Sequence, residues 1–166
     1  MRLGLAKIID RPGESVSYSA VVDLSDLQYG TCCPVTEPVI AEGTVRNTAG
    51  VLVMKGLITT CIHGTCDRCA SDFDREMEIP IDAVLVTELA NEENEDEWVF
   101  PLEGNDADLD EIIRTVFVLN MDSKLLCKED CKGLCCRCGK NLNDGPCGCE
   151  KEIDPRLAAL KQLLNK

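Results

Sequence analysis

Histidine is nearly missing: His63 is the only one in 166 residues, which removes most catalytic triads and most hydrolytic zinc sites from consideration. The sequence also has no Gly-rich phosphate loop, no Ser-His-Asp order and no His-Glu-x-x-His pattern, so the familiar motifs of phosphoryl transfer, acyl transfer and metalloproteolysis are lacking. No enzyme is expected, and the shortage of histidine weighs against a metal-dependent RNA-processing activity in particular. Aromatic residues make up 4% of the chain, so its core must be built from Val, Ile, Leu and Ala. No apolar run approaches membrane-spanning length. The first twelve residues are interrupted by Lys7 and Asp10 and are too short and too charged for a signal peptide. The expected location is the cytosol, where thiols stay reduced and disulfides are disfavoured.

Basic side chains are absent from a whole segment. Between Glu88 and Glu111 there are eleven acidic residues and no lysine or arginine. That composition fits a solvated acidic loop containing a short strand at the apolar patch Trp98 to Leu102, or a docking surface for a basic partner. The imbalance extends further. Residues 1–123 carry 8 basic and 24 acidic side chains, a net of −16, whereas residues 124–166 carry 9 basic and 6 acidic, a net of +3. An acidic body repels phosphates and attracts basic proteins, so any contact with RNA should fall to the C-terminal part. The chain divides accordingly into a β-rich acidic body, 1–123, and a cysteine-rich module, 124–166.

The pattern of apolar residues predicts an α+β fold, with an antiparallel sheet, one covering helix and a C-terminal cysteine knuckle. A strand is expected over Tyr18 to Leu24, followed by a possible helical turn from Asp23 to Leu27. A hairpin is expected from the alternation at Val39, Ala41, Gly43 and Val45, the turn residues Asn47 to Gly50, and the run Val51 to Ile58. The clearest strand runs from Phe73 to Glu88 with strict alternation. Pro80 on its outer side predicts an edge or a bulge. Leu109, Ile112, Ile113, Val116 and Phe117 recur at helical spacing behind Asp108, with Glu111 placed for a capping box. A second short helix is signalled by Asp154, Pro155, Leu157, Leu160 and Leu164.

What the chain does have is cysteine, twelve in all. Seven fall within 23 residues, at Cys127, Cys131, Cys135, Cys136, Cys138, Cys147 and Cys149. In a reducing compartment this density points to metal, and clustered thiolates suit the soft, tetrahedral preference of zinc. Cys135-x-x-Cys138-Gly139 has the form of a zinc knuckle, the glycine allowing the left-handed backbone that turns amide N–H groups toward sulfur. Cys147 and Cys149 can complete that tetrahedron. Lys132, Arg137 and Lys140 would offset the charge of four thiolates, and such a site is closed and structural rather than hydrolytic.

Cys66-Asp67-Arg68-Cys69 lies between two strands, and three readings of it stay open: half of a second metal site, completed by Cys127 and Cys131; a redox dithiol; or a turn with incidental cysteines. A strand follows where a thioredoxin-like dithiol would need a helix, which weakens the redox reading. His63 is either a ligand beside Cys66 or a structural residue, and Cys32, Cys33 and Cys61 lack ligand spacing.

Taken together, the Cys66 to Cys69 pair, Leu109-Asp110-Glu111-Ile112, the run from Cys127 to Cys135, Cys138 to Asn143 and Asp154-Pro155-Arg156-Leu157 resemble the bacterial YceD family of large ribosomal RNA subunit accumulation proteins, from about Pro38 to Leu164. The resemblance implies a role in 23S ribosomal RNA accumulation and large-subunit biogenesis, with no assigned catalytic residue. It also implies a shared pathway with a zinc-ribbon ribosomal protein whose gene often lies beside family members. Cys136 departs from the family pattern, which has proline there. Some relatives lack the C-terminal cysteines, which implies that zinc stabilises the module rather than performing the function. The expected mode of action is noncatalytic: the acidic body engages a basic ribosomal protein, and Lys128, Lys132, Arg137 and Lys140 either touch phosphates of 23S rRNA or form a solvated face. The competing expectation is a thiol redox or zinc-release sensor.

Overall fold

A computed structural model of the chain describes residues 1–28, 33–87 and 98–149. Its centre is a five-stranded sheet in the order β2-β3-β4-β5-β6, formed by β2 (Ser15–Val22), β3 (Val39–Thr48), β4 (Val51–Thr65), β5 (Asp72–Val86) and β6 (Val99–Pro101). The first four strands pair antiparallel, and β6 joins parallel to Val84, Leu85 and Val86. A two-stranded ribbon of β1 (Arg2–Gly4) and β7 (Asp106–Asp108) leads into the helix α1 (Leu109–Leu119). The α+β class is as expected, with a mixed rather than purely antiparallel sheet.

Local sequence explains the main elements. Asn47 to Gly50 closes the β3–β4 hairpin with Ala49 and Gly50 both at positive φ, 53° and 94°, which gives the two-residue turn the twist the strands require. Asn47 is fully buried there: its side-chain amide donates to the Ile8 and Ile9 carbonyls, and its oxygen accepts from the Gly50 N–H at 2.8 Å. The N-terminal loop is thereby fixed to the sheet. The segment Asp23 to Leu27 makes a single hydrogen-bonded turn, with the Ser25 N–H donating to Asp23 and the Leu27 N–H to the Leu24 carbonyl.

Asp108 caps α1, accepting from the Asp110 and Glu111 N–H groups. The five apolar residues with helical spacing, Leu109, Ile112, Ile113, Val116 and Phe117, are all buried. They pack with inward residues of the sheet such as Val39, Val45, Met54, Ile58 and Ile81, and with Leu5 and Ile8, in one core. Deleting the side chain of a fully buried residue such as Phe117 costs about 3–5 kcal/mol in cores of this kind.

Among the described residues, β5 has a partner beyond β4 only at its last three residues, so Pro80 stands on an edge of that sheet where its missing N–H breaks no ladder. The other face of the sheet has no second layer among the described residues. The signalled helix from Asp154 to Leu164 lies outside the described residues, as do most of the acidic stretch after Val86 and Cys32. The apolar patch after that stretch does form a short strand, β6. No helix among the described residues is long and apolar enough to cross a membrane.

Candidate metal centres

β4 and β5 are long, fifteen residues each, and extend their shared hairpin well beyond the core. At its tip the chain turns through Cys66-Asp67-Arg68-Cys69-Ala70. The Ala70 N–H donates to the Cys66 carbonyl at 2.9 Å, the Cys66 N–H donates to the Ser71 carbonyl at 2.8 Å, and Ala70 sits at φ 53°. The segment Cys135 to Lys140 repeats this geometry: the Gly139 N–H donates to the Cys135 carbonyl at 2.9 Å, the Cys135 N–H to the Lys140 carbonyl at 2.9 Å, and Gly139 has φ 71°. Both Cys-x-x-Cys pairs are therefore knuckles. The first places alanine in the left-handed position that normally favours glycine.

Each knuckle meets two further cysteines. Cys66, Cys69, Cys127 and Cys131 bring four sulfurs within 4.8 Å of one another, and Cys135, Cys138, Cys147 and Cys149 do the same. The Cys66 and Cys131 sulfurs lie 3.8 Å apart, and those of Cys69 and Cys127 3.7 Å apart. A disulfide would need about 2.05 Å. A tetrahedral ion with metal–sulfur bonds of about 2.3 Å would set its sulfurs about 3.8 Å apart. The sulfur separations thus match the edge of a tetrathiolate site, and each quartet can hold a metal ion.

The two centres differ in exposure. Cys66, Cys69 and Cys131 are buried, packed against Phe73, Leu126 and Cys127, whereas Cys138 is exposed and its three partners are half-buried. Polar groups around the first centre brace the C-terminal segment on the hairpin. Asp67 accepts from the Leu125 N–H at 2.7 Å, the Asp67 N–H donates to the Leu125 carbonyl, and Arg68 donates to the Cys131 carbonyl. The Asn143 side chain donates to the Cys131 sulfur at 3.3 Å, and its oxygen accepts from the Lys132 N–H. Such partners orient and tune the ligands. Gly133, at φ 73°, passes close over the Arg68 carbonyl, which also accepts from the Leu134 N–H. The centres are thus adjacent and share one framework.

The thiols are strongly differentiated. Burial opposes ionisation of Cys66, but backbone N–H groups of Cys127, Arg68 and Cys69 outweigh it and draw its pKa down to about 6. Backbone N–H groups of Cys138 and Arg137 bring Cys135 to about 6, and the Asn143 side chain lowers Cys131. Desolvation, followed by the neighbouring cysteines, pushes Cys127 up to about 12. Cys149 is raised to about 12 by Cys138 first and then by burial. Without a cation, four thiolates in one site repel one another and do not all ionise. A divalent ion removes that conflict. In metal-stripped protein at pH 7, iodoacetamide should therefore modify the accessible Cys135 well before Cys149, with reactivity at Cys135 falling as the pH drops through about 6. Peptide mapping by mass spectrometry checks this order, and equal rates would contradict it.

The other expected site residues fall as follows. His63 belongs to neither quartet; its Nδ1 meets Asp74 at 2.7 Å across the β4–β5 ladder, which is a structural use. Cys33 and Cys136 are exposed and Cys61 is half-buried, all outside the quartets. Lys128, Lys132, Arg137 and Lys140 are exposed around the two centres. Lys128 lies near Asp130, and Lys140 donates to the Pro146 carbonyl. Asp67, Arg68 and Asn143 were not anticipated as supporting residues, because nothing in their spacing separates them from ordinary turn residues.

The chain is 26% identical to a chloroplastic large ribosomal RNA subunit accumulation protein YCED homolog of Arabidopsis thaliana over 91% of its own length and 55% of the relative's. It is 25% identical to the corresponding Zea mays protein, covering 75% of this chain and 53% of that one. An uncharacterized protein of Mycobacterium tuberculosis is 29% identical over 69% of this chain and 56% of its own length. The chain thus spans about half the length of the curated relatives it matches. No solved structure matches it. Residues 54–164, which include both cysteine quartets, match the model of the large ribosomal RNA subunit accumulation protein YceD, and the chain belongs to that family.

Proposed function

We propose that this protein is a noncatalytic, zinc-stabilised factor in 23S rRNA accumulation and large-subunit biogenesis, acting in a reducing, cytoplasmic compartment. The zinc assignment follows from donor chemistry: eight cysteine sulfurs in two tetrahedral sets are the ligands of structural zinc, and hard-metal sites use oxygen instead. The observation that carries the reading is the separation of charge across the first centre. The body, residues 1–123, has a net charge of −16. Lys128, Lys132, Arg137 and Lys140 project from the segment that Cys127 and Cys131 hold against Cys66 and Cys69. Zinc in both quartets would fix this basic module on an acidic body, so that the two faces address different components of one assembly. The body would engage a basic ribosomal protein, and the four cations would touch RNA phosphates.

The test is binding of the zinc-loaded protein to 23S rRNA fragments across a salt series. Neutralising Lys128, Lys132, Arg137 and Lys140 together should reduce the slope of log affinity against log salt by roughly 3, from about 0.7 per phosphate contact on single strands. Cells lacking the protein should under-accumulate 23S relative to 16S rRNA, and this variant should restore the ratio poorly. An unchanged slope removes the RNA contact from the proposal.

A second reading is supported by the exposed Cys136 beside the more exposed quartet. A zinc-release sensor would use oxidation there to open the module. It requires Cys135 or Cys138 to react with peroxide while zinc is bound. Sulfurs protected until chelation favour the assembly factor.

A further inference from the structure

We propose that the face of the central sheet opposite α1, which has no second layer among the described residues, is a docking surface for a polypeptide segment that carries lysine or arginine side chains beside apolar ones. This deepens the proposed engagement of a basic protein and rests on it. The helix and the N-terminal loop pack on one face only. On the other, strand register places Val21 opposite Ile40, and Leu57 opposite Pro80, with Ile40 and Leu57 diagonal neighbours across β3 and β4. Val21 is 63% exposed, Ile40 45% and Leu57 40%. These form one apolar strip across four strands rather than scattered surface residues.

The strip has an acidic border. The outward positions of β2 to β5 include Glu42, Asp72, Asp74, Glu76, Glu78 and Asp82, six acids, against Arg46 and Lys55 as permanent cations. Asp74 meets His63 and Asp82 meets Lys55. Glu76 and Glu78, beside the shallow groove that Pro38, Ile40, Thr59 and Met77 line, form no ion pair among the described residues. Acids on a strand with an open edge deter pairing with other sheets, and that explains charge on β5. It does not explain exposed Val21, Ile40 and Leu57 on β2, β3 and β4, two of which are interior strands. Apolar contact at the centre with uncompensated carboxylates at the rim is the complement of a basic, partly apolar segment. The same carboxylates repel nucleic acid phosphates.

The experiment titrates the zinc-loaded full chain with individually purified basic proteins of the large ribosomal subunit, read by fluorescence anisotropy. Wild type, Ile40→Asp with Leu57→Asp, Glu76→Lys with Glu78→Lys, and Lys128→Ala with Lys132→Ala are compared. Because all these positions are exposed, the folds should survive, and circular dichroism verifies it. For a protein that binds wild type, each of the first two pairs should weaken affinity at least tenfold, and the lysine pair should change it less than twofold. Binding unchanged in both of the first two pairs overturns the assignment of this face while leaving the engagement of a basic protein intact. If no basic protein binds wild type, that engagement itself fails and this inference falls with it. Protection of Ile40 and Leu57 by 23S rRNA instead would overturn the class of partner. Methyl NOEs from either residue to residues 150–166 in the free chain would place the occupant within the molecule, with the same consequence.

Discussion

With zinc in both quartets, as proposed, replacing Cys69 by serine should remove one ion and lower the melting temperature by about 8–16 °C, whereas replacing Cys147 should remove the other and shift the melt by less than about 4 °C. The asymmetry follows from what each centre joins. Cys66 and Cys69 belong to the hairpin between β4 and β5, and Cys127 and Cys131 come from the chain that follows α1. An ion there closes a long-range contact between segments about sixty residues apart and fixes the hairpin tip, where Leu125 and Leu126 pack. Cys135, Cys138, Cys147 and Cys149 instead close a local loop. Structural zinc in small domains contributes roughly 10–16 kcal/mol of apparent binding energy. Only the part coupled to the global transition appears in the melt. For the first centre, about 4 kcal/mol is expected, and at about 2–4 °C per kcal/mol for a chain of this size the stated range results. For the second, the links to the first are a handful of hydrogen bonds, among them the Leu134 N–H to the Arg68 carbonyl, the Asn141 amide to Ser71, the Lys132 N–H to the Asn143 oxygen and the Asn143 amide to the Cys131 sulfur. Metal content by mass spectrometry and calorimetry on the same samples decide the matter. Equal shifts would mean that the two centres unfold as one unit. Two bound ions with no shift from Cys69→Ser would mean that the first quartet is not the ligand set.

The order of release should follow the same logic. A chelator titration should strip the exposed centre first, because its sulfurs are accessible and its loop opens without disturbing the sheet. Amide exchange should then rise at residues 135–149 before it rises at residues 62–73 and 124–131.

The parts of this fold that announced themselves in the sequence are those set by local rules. Alternation marks β3 and β5, an apolar run after turn residues marks β4, the helical spacing from Leu109 to Phe117 marks α1, and Gly139 after Cys138 marks one knuckle. The second knuckle was harder to read because Ala70 holds the left-handed position. There the surrounding hydrogen bonds impose a backbone conformation that propensity argues against. β1 and β7 were invisible for a different reason: three residues each, with Gly4 and two aspartates, they pair across more than a hundred residues of chain, and no periodicity develops over such a length. The parallel addition of β6 also depends on tertiary placement. The pairing of Cys66 and Cys69 with Cys127 and Cys131 was a possibility in the sequence. It becomes a geometry only because the β4–β5 hairpin is long enough to carry its tip to the chain leaving α1.

Gly56→Ala should destabilise the protein by roughly 3 kcal/mol, enough to lower the melting temperature by about 6–12 °C, and Tyr18→Phe should restore part of the loss. Gly43 and Gly56 face each other across β3 and β4, with Tyr18 beside them on β2. The Tyr18 side chain covers the space both glycines leave. A Cβ on Gly56 would stand 2.5 Å from the Glu42 carbonyl oxygen and closer still to the Tyr18 hydroxyl, and one on Gly43 would meet that hydroxyl at 2.6 Å. The main chain is fixed by ladders on both sides of each strand, so it yields less than a side chain would. The hydroxyl itself is buried and has no hydrogen-bond partner among the described residues, and burial pushes its pKa up to about 12. Removing it alone should therefore be neutral or stabilising by about 1 kcal/mol. In the double variant, the missing oxygen relieves one of the two contacts at Gly56 and leaves the clash with the Glu42 carbonyl. The double-mutant cycle should then show a coupling of about 1 kcal/mol in the direction of rescue. Additive effects would mean that the Glu42 carbonyl alone excludes a side chain at Gly56. Such a result would make these glycines a requirement of strand spacing rather than of the tyrosine packed across them.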